Sequence, residues 1–479
     1  MGPVISLENS QTNSNVVRFF RALKKDDPNS QLCYYQSGIG TFSDTKRRCC
    51  TIPWIWVNLK IDEAIARELN GHVIEGYRFI MRNYRPGDQI YMFGFSRGAY
   101  TARALSAMIY KVGVLPRYNE SLVDFAFIVY DTYDKKGVAV ARKFKKAFAM
   151  DVPVHFVGVW DTVTSVGVIP GKYLPLSNSH DGVEVFRHAL ALDERRVLFK
   201  PFLWDQPRPT LDARESEPQV NYRKESTPRN EWSFEPLVLP DVKEVWFVGC
   251  HADVGGGSHP DDYDSSLSNI TLRWMIIECF RSKTGIKFRE DELFQLKFKR
   301  EVLQADYEWT QWDSLGVDQE SKDCWILPSA AASKADKILA SFTKNYVSPF
   351  GKSDVNDCTE KIYDQMKTWL GLLWWVFELF PTSEVSKNER GWLVGRGLNY
   401  GSGRRLPMDG EKLLVHVSVL QRMKQAEGAA GDEIEHSIQK DQGEKTRHEI
   451  EGKAAKSRYK PKAWNWDWAC EGDYITWVY

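Results

Sequence analysis

The sequence predicts an α/β protein in which a mostly parallel sheet is flanked by helices and followed by a helical, Trp-rich C-terminal portion. Nearly continuous apolar runs at residues 152–163 and 242–250 are typical of strands buried on both faces of a parallel sheet. These runs alternate with segments in which apolar residues recur at the helical period. Each run also ends in a polar or glycine-rich stretch, as loops at the carboxyl edge of such a sheet do.

The elements follow one another along the first 300 residues, which we take as one catalytic-type domain. Ser and Asn precede a helical period at residues 14–25 and could cap that helix. The remaining elements are predicted as a helix over 61–84, a strand over 89–93, a helix over 99–111, a strand over 152–163, a helix over 183–199 and a strand over 242–250.

The pattern changes after residue 300. Residues 301–424 predict a helical cap or accessory region, and residues 425–458 lack aromatic side chains and predict a solvated helix or a disordered insert. The aromatic segment 459–479 is expected to dock on the fold. The longest apolar run, Trp369 to Phe380, is too short to span a bilayer, so it predicts either a buried helix or an interfacial one.

Composition excludes several classes of function. Among 479 residues, Lys+Arg and Asp+Glu both number 64, so the one-sided basic field of a nucleic-acid-binding protein is missing. The eight cysteines form no CxxC pair, which argues against a zinc ribbon or a disulfide scaffold. No signal peptide or transmembrane segment is recognisable, and a reducing, cytoplasmic location is the expectation.

The stretch GFSRG at residues 94–98 carries the most specific chemical signal. It fits G-x-S-x-G, with an apolar strand before it and a helix after it, which is the context a nucleophilic serine requires. Ser96 stands between Gly94 and Gly98, and the backbone N–H of Arg97 is the candidate oxyanion donor. The alternative is a structural or phosphate-binding glycine turn.

A nucleophilic serine needs a base and an acid, and the later strand ends supply both types of residue. Asp161 ends one buried strand and His251 ends another, which gives the chain order serine, acid, histidine of α/β-hydrolases. Asp253 is a rival for the acid. Gly255 and Gly256 follow in a loop that could let a ligand approach the backbone closely. The alternative for the acid is a helix or turn cap, and a lone histidine at a strand end is often structural.

Four motifs together resemble the DUF2235 family, whose members include Tle1-type phospholipase effectors of type VI secretion and many fungal proteins. The motifs are GFSRGAYTAR, GVWDTVTSVG, HALALDERR and GCHADVGGG, and the resemblance runs from about Thr12 to Ser258. It implies an α/β-hydrolase-like fold with Ser96 as nucleophile, Asp161 as acid and His251 as base, and no metal or cofactor. The implied substrate is a lipid or another ester, with peripheral membrane contact.

The N-terminus departs from the pattern of this family. Residues 1–10 stand where an apolar strand ending in Asp-Gly-Thr is expected, and such a segment usually supplies the second oxyanion donor. Two hypotheses follow. The first is a serine ester hydrolase whose activity is weakened by an incomplete oxyanion hole. The second is a hydrolase-fold binding or scaffold protein that does not turn over substrate.

Overall fold

A computed structural model gives the fold of the chain. It describes residues 12–38, 54–132, 135–163, 174–178, 182–206, 240–261, 263–298, 352–368, 371–379, 381–388, 391–409, 412–423, 459–463, 466 and 475–478.

A six-stranded sheet forms the centre of the molecule, and every pair of neighbouring strands in it is parallel. The strand order is β1-β2-β3-β4-β7-β8. A separate antiparallel hairpin joins β5 to β6. The strands are β1 Tyr91–Phe95, β2 Val154–Trp160, β3 Val183–Ala191, β4 Asp241–Phe247, β5 Thr382–Asn388, β6 Gly391–Gly397, β7 Leu413–His416 and β8 Ile475–Val478.

Helices cover both faces of this sheet. The described helices are α1 Asn15–Ala22, α2 Trp54–Asn83, α3 Arg97–Val112, α4 Val123–Asp131, α5 Lys135–Phe148, α6 His251–Gly255, α7 Leu267–Arg281, α8 Glu290–Gln295, α9 Lys352–Thr359 and α10 Gly371–Glu378. One core lies between the sheet and the helices α2 to α5, and a second lies between the sheet and α1, α7 and α8. The apolar run of β2 serves both cores, since Val157 and Val159 face the first and Phe156 and Trp160 face the second.

The helix predicted over residues 183–199 is wrong, because residues Val183–Ala191 form the strand β3. This strand lies between β2 and β4, and its last six residues are buried on both faces of the sheet. Its apolar residues therefore do not alternate with polar ones, and a short run of this kind cannot be told from a buried helix by periodicity. Arg187 adds to the ambiguity, since this charged residue is buried in an ion pair with Glu278.

The chain beyond residue 300 is not all helical. Helices α9 and α10 lie in it, but the hairpin β5–β6 and strand β7 do as well. Strand β7 pairs with β4, and β8 pairs with β7, so both strands extend the sheet of the N-terminal part. The polar stretch 425–458 lies outside the described residues, and the division of the chain at residue 300 stays a prediction. Within the ranges given above, no helix has both the length and the apolar character that crossing a membrane requires.

Candidate active site

Ser96 lies on a sharp turn between strand β1 and helix α3. Its backbone has a φ of 58°, a conformation that is uncommon for residues other than glycine. The turn brings the backbone of β1 very close to α3, because a Cβ at Gly94 would lie 2.4 Å from the carbonyl oxygen of Gly98. Gly94 is therefore required by the close packing of the turn. Gly98 is exposed, and a Cβ there would meet nothing within 4 Å.

The register of the parallel strands brings Ser96 and Asp161 to the same edge of the sheet. Phe95, the last residue of β1, pairs with Trp160, the last residue of β2. Ser96 and Asp161 are the next residues of their chains, and the Ser96 N–H donates a hydrogen bond to the Trp160 carbonyl over 3.0 Å. Both side chains thus leave the sheet at its carboxyl edge, where ligands bind in open α/β sheets.

His251 reaches the same edge from β4 and contacts Asp161 directly. Its Nδ1 lies 2.6 Å from Oδ2 of Asp161, and the imidazole is buried. This hydrogen bond assigns the proton to Nδ1 and leaves Nε2 as an acceptor. The ring of Phe95, which directly precedes Ser96, packs on the imidazole with centroids 4.5 Å apart. His251 is the first residue of the short helix α6, four residues past the end of β4.

The Asp161 carboxylate accepts four hydrogen bonds. Besides His251, it accepts one from the Ala191 N–H at 2.9 Å and two from the guanidinium of Arg404, at 2.5 and 2.8 Å. Burial by itself raises the pKa of a carboxyl group, but Arg404 and His251 outweigh it and hold the pKa of Asp161 well below its usual range. The Asp161 side chain is therefore an anion at neutral pH.

Burial has the opposite consequence for His251. It lowers the pKa of the imidazole below its ordinary value, although the hydrogen bond to Asp161 acts in the other direction. The nearby Arg196 adds to the lowering. A neutral imidazole at neutral pH can accept a proton at Nε2, which is what a general base has to do.

The motif HALALDERR supplies the residues that hold the loop before His251. Asp193 accepts a hydrogen bond from the Gly249 N–H at 2.8 Å, and Glu194 accepts one from the His251 N–H at 3.2 Å. Arg196 pairs with Glu194 at 2.7 Å. In the sequence this motif indicates a resemblance to the DUF2235 family, but it predicts no role for these residues. The signal was four consecutive charged residues directly after an apolar run.

Arg404 is a further residue of the site that the sequence does not predict. It lies 243 residues from Asp161, in the glycine-rich stretch 395–407, which the sequence indicates as a loop with a weaker resemblance to the DUF2235 family. No spacing rule links it to the serine motif, so only the three-dimensional structure brings it to the acid.

The other site residues expected from the sequence have contacts within the fold. Asp253 does not contact the His251 ring; its carboxylate accepts hydrogen bonds from the backbone N–H groups of Cys250 and Tyr363, both at 2.9 Å. A Cβ at Gly255 would lie 1.9 Å from the ring of Phe95, and one at Gly256 would lie 2.7 Å from the Asn15 nitrogen. A substrate role for these loop residues stays a prediction.

Helix α10 lies beside the site and carries the Trp-rich run. Trp374 contacts Phe199, with ring centroids 5.5 Å apart, and Phe199 in turn contacts the His251 ring at 4.8 Å. The other side of the helix is exposed, because Trp375 and Leu379 keep 41% and 66% of their surface accessible. The run is thus partly buried toward the histidine and partly open to the outside.

Comparison with known proteins assigns the chain to a family. A family model described as the type VI secretion phospholipase effector Tle1-like catalytic domain matches residues 5–278, more than half of the chain. The chain belongs to this Tle1-like family. Ser96, Asp161 and His251 all lie within the matched Tle1-like region, whereas Arg404 lies beyond it. The match begins at residue 5, inside the segment 1–10 in which the sequence predicts a departure from the family pattern, and this segment lies outside the described residues.

Two individual proteins resemble this Tle1-like chain. An uncharacterized protein of Saccharomyces cerevisiae is 28% identical over 530 residues, which cover 86% of this chain and 76% of the yeast protein. A crystal structure of an uncharacterized protein from Pseudomonas aeruginosa matches 75% of this chain at 16% identity, with a TM-score of 0.28. The match spans 60% of the Pseudomonas chain.

Proposed function

We propose that this Tle1-like protein is a serine hydrolase that cleaves carboxylic esters of lipids through an acyl-enzyme. The observation that carries the proposal is the 2.6 Å hydrogen bond between His251 and Asp161, at the sheet edge where Ser96 leaves the neighbouring strand. Membership of a phospholipase effector family supports lipid esters as the substrate class.

In the proposed reaction the Ser96 hydroxyl attacks the ester carbonyl while Nε2 of His251 takes its proton. The resulting oxyanion accepts a hydrogen bond from the Arg97 N–H, which directly follows the nucleophile at the start of α3. His251 then gives the proton to the departing alcohol, which leaves an ester on Ser96. Water, deprotonated by the same imidazole, hydrolyses that ester and restores the serine.

Peripheral membrane contact through helix α10 is part of the proposal. Trp375 and Val376 of this helix and Leu379, directly after it, are exposed, with accessible fractions of 41%, 49% and 66%. Tyr400, 61% accessible, stands next to Gly401, whose backbone packs on the Trp375 ring. Exposed aromatic and aliphatic side chains of this kind insert into the boundary between lipid head groups and acyl chains. The contact would bring an ester beside Phe199 and His251.

The test is the substitution Ser96→Ala. Hydrolysis of p-nitrophenyl butyrate and of phosphatidylcholine vesicles should fall by about 10⁴-fold or more, because the nucleophile is lost. Ser106→Ala is the matched control and should retain turnover. Ser106 is a buried serine of helix α3, which begins directly after Ser96. A fluorophosphonate probe should label the wild type at Ser96 alone. Undiminished hydrolysis by Ser96→Ala would exclude this mechanism, and a wild type that neither turns over nor labels would favour the binding or scaffold alternative.

A further inference from the structure

We propose that Arg404 is a positioning residue of the active site, which fixes the Asp161 carboxylate and through it the orientation of the His251 imidazole. The inference deepens the proposed function and rests on it. It adds a residue from the C-terminal part of the chain, beyond the region that the family model covers.

The guanidinium of Arg404 uses every donor it has. An arginine side chain carries five N–H groups, and Arg404 makes five hydrogen bonds. Two go to the two oxygens of Asp161, two to the carbonyl of Phe199 and one to the carbonyl of Ala191. Asp161 receives a two-pronged contact with one bond to each carboxylate oxygen, and Oδ2 also accepts from His251, so the carboxylate cannot rotate without breaking these bonds.

The same contacts connect the groups around the imidazole. Phe199, whose carbonyl accepts from Arg404, presses its ring on His251. Ala191, whose carbonyl accepts from Arg404, donates its own N–H to Asp161. Arg404 therefore fixes the acid that orients the imidazole and the backbone of a residue that packs on it. It touches neither Ser96 nor the reacting atoms, so its role is positioning.

The loop that carries Arg404 is itself held rigidly. Buried Glu378, from helix α10, accepts hydrogen bonds from the Asn399 side chain at 2.7 Å and the Gly401 N–H at 2.9 Å. Gly403 lies so close to the C-terminal segment that a Cβ would be 1.5 Å from the Lys462 carbonyl oxygen. A loop held at three points directly before Arg404 can deliver that side chain with the accuracy that catalysis needs.

Charge gives Arg404 a second effect that an uncharged donor would not have. Asp161 is fully buried, and Arg404 is the largest of the influences that keep its pKa low. Removing the guanidinium would raise the pKa of Asp161, so that the carboxyl would take up a proton at a higher pH. A protonated acid no longer stabilises the imidazolium that forms during the reaction.

The primary experiment measures ester hydrolysis by Arg404→Gln across pH. We expect kcat to fall about 100-fold, the cost of a misplaced catalytic group, with KM nearly unchanged. The acid limb of the kcat profile should move to higher pH. Arg405→Gln, at the adjacent exposed residue, is the matched control and should behave like the wild type. An unchanged kcat and acid limb in Arg404→Gln would overturn the proposal.

Two further variants separate positioning from a general loss of structure. Arg404→Lys keeps the charge but offers three donors instead of five, so it should hold the acid limb near its wild-type position while restoring only part of kcat. In the background of Asp161→Asn, Arg404→Gln should change kcat by less than about 3-fold, since two residues that act as a unit are not additive. Full additivity of the two losses would show that Arg404 acts on the fold alone, and would overturn the proposal.

A measurement without turnover distinguishes this inference from the proposed function. The proton between His251 Nδ1 and Asp161 should give a low-field NMR signal in the wild type and in Ser96→Ala. If Arg404 positions the pair, Arg404→Gln will shift that signal or lose it through exchange with solvent, whether or not the protein hydrolyses esters. A signal that stays unchanged overturns the role of Arg404. A wild type without turnover overturns the proposed function instead.

Discussion

The substitution Gly255→Ala tests whether the contact between helix α6 and Phe95 holds the base in place. A Cβ at this position would lie 1.9 Å from the Phe95 ring, far inside van der Waals contact, so the ring has to move. That ring packs on His251 at 4.5 Å, and any shift of it reaches the imidazole. An alanine in a helix normally gains about 0.5–1 kcal/mol over glycine. Overpacking a core costs about 1–3 kcal/mol, so the net expectation is a destabilisation of about 1–2 kcal/mol.

The assay for this prediction combines urea unfolding with ester hydrolysis. We expect Gly255→Ala to lower the unfolding midpoint without changing its slope, and to lower kcat by about 10- to 100-fold, because the imidazole moves. Gly71→Ala is the matched control, since it lies inside helix α2 and its new Cβ would meet nothing within 4 Å. Gly71→Ala should raise the free energy of unfolding slightly and leave ester hydrolysis unchanged. Adding Phe95→Leu to Gly255→Ala should recover part of the stability, because the shorter side chain makes room. A Gly255→Ala protein as stable and active as the wild type would refute the reasoning.

Two other predictions concern the carboxyl group of the loop and the exposed side of α10. Burial raises the pKa of Asp253 to about 7, above the value of about 3.9 in the unfolded chain, so the wild type should lose stability as pH rises through this range. Asp253→Asn removes that loss. The difference in melting temperature between Asp253→Asn and the wild type should therefore grow in favour of the variant from pH 5 to pH 8, by about 1 °C per kcal/mol for a chain of 479 residues; parallel curves would contradict this. Replacing Trp375 and Leu379 by serine should weaken sedimentation with phosphatidylcholine vesicles at least several-fold. The variant buries less apolar surface in the lipid, and each Å² of that surface contributes about 25 cal/mol to binding. The pair Val140→Ser and Phe148→Ser, exposed residues of helix α5, should not change sedimentation, and equal losses in both pairs would exclude α10 as the contact.

Much of the sheet could be predicted from the sequence because its strands have local signals. The strands β1, β2 and β4 are short apolar runs that end in a glycine or a polar residue, and each lies within its predicted range or within three residues of it. Strand β3 was mistaken for a helix because burial on both faces removes the alternation that identifies a strand. The hairpin β5–β6 was missed because its residues are mostly polar or glycine, which weakens a strand pattern.

Within the candidate site, too, the residues with a local sequence signal could be predicted and those without one could not. Ser96, Asp161 and His251 could be selected because each directly follows, or nearly follows, a strand, and the parallel strands end at one edge. Arg404 could not be selected, since its role comes from the long-range packing of a loop that has no regular structure. The choice between Asp161 and Asp253 as partner of the imidazole likewise needed coordinates, because both lie close to strand ends and only the backbone path decides which carboxylate reaches Nδ1.

The pairing of β4 with β7 and of β7 with β8 has a consequence for how the chain acquires its shape. Strand β4 ends at residue 247, and its neighbour β7 begins only at residue 413. During synthesis, Ser96 and His251 therefore leave the ribosome long before Arg404, the proposed positioning residue, has been made. Strands this distant in sequence pair slowly, because the entropy of closing the long loop between them is lost before any contact between the strands offsets it. The proposed site thus stays incomplete until β7 and β8 join the sheet, and under the proposed function ester hydrolysis becomes available only late in folding.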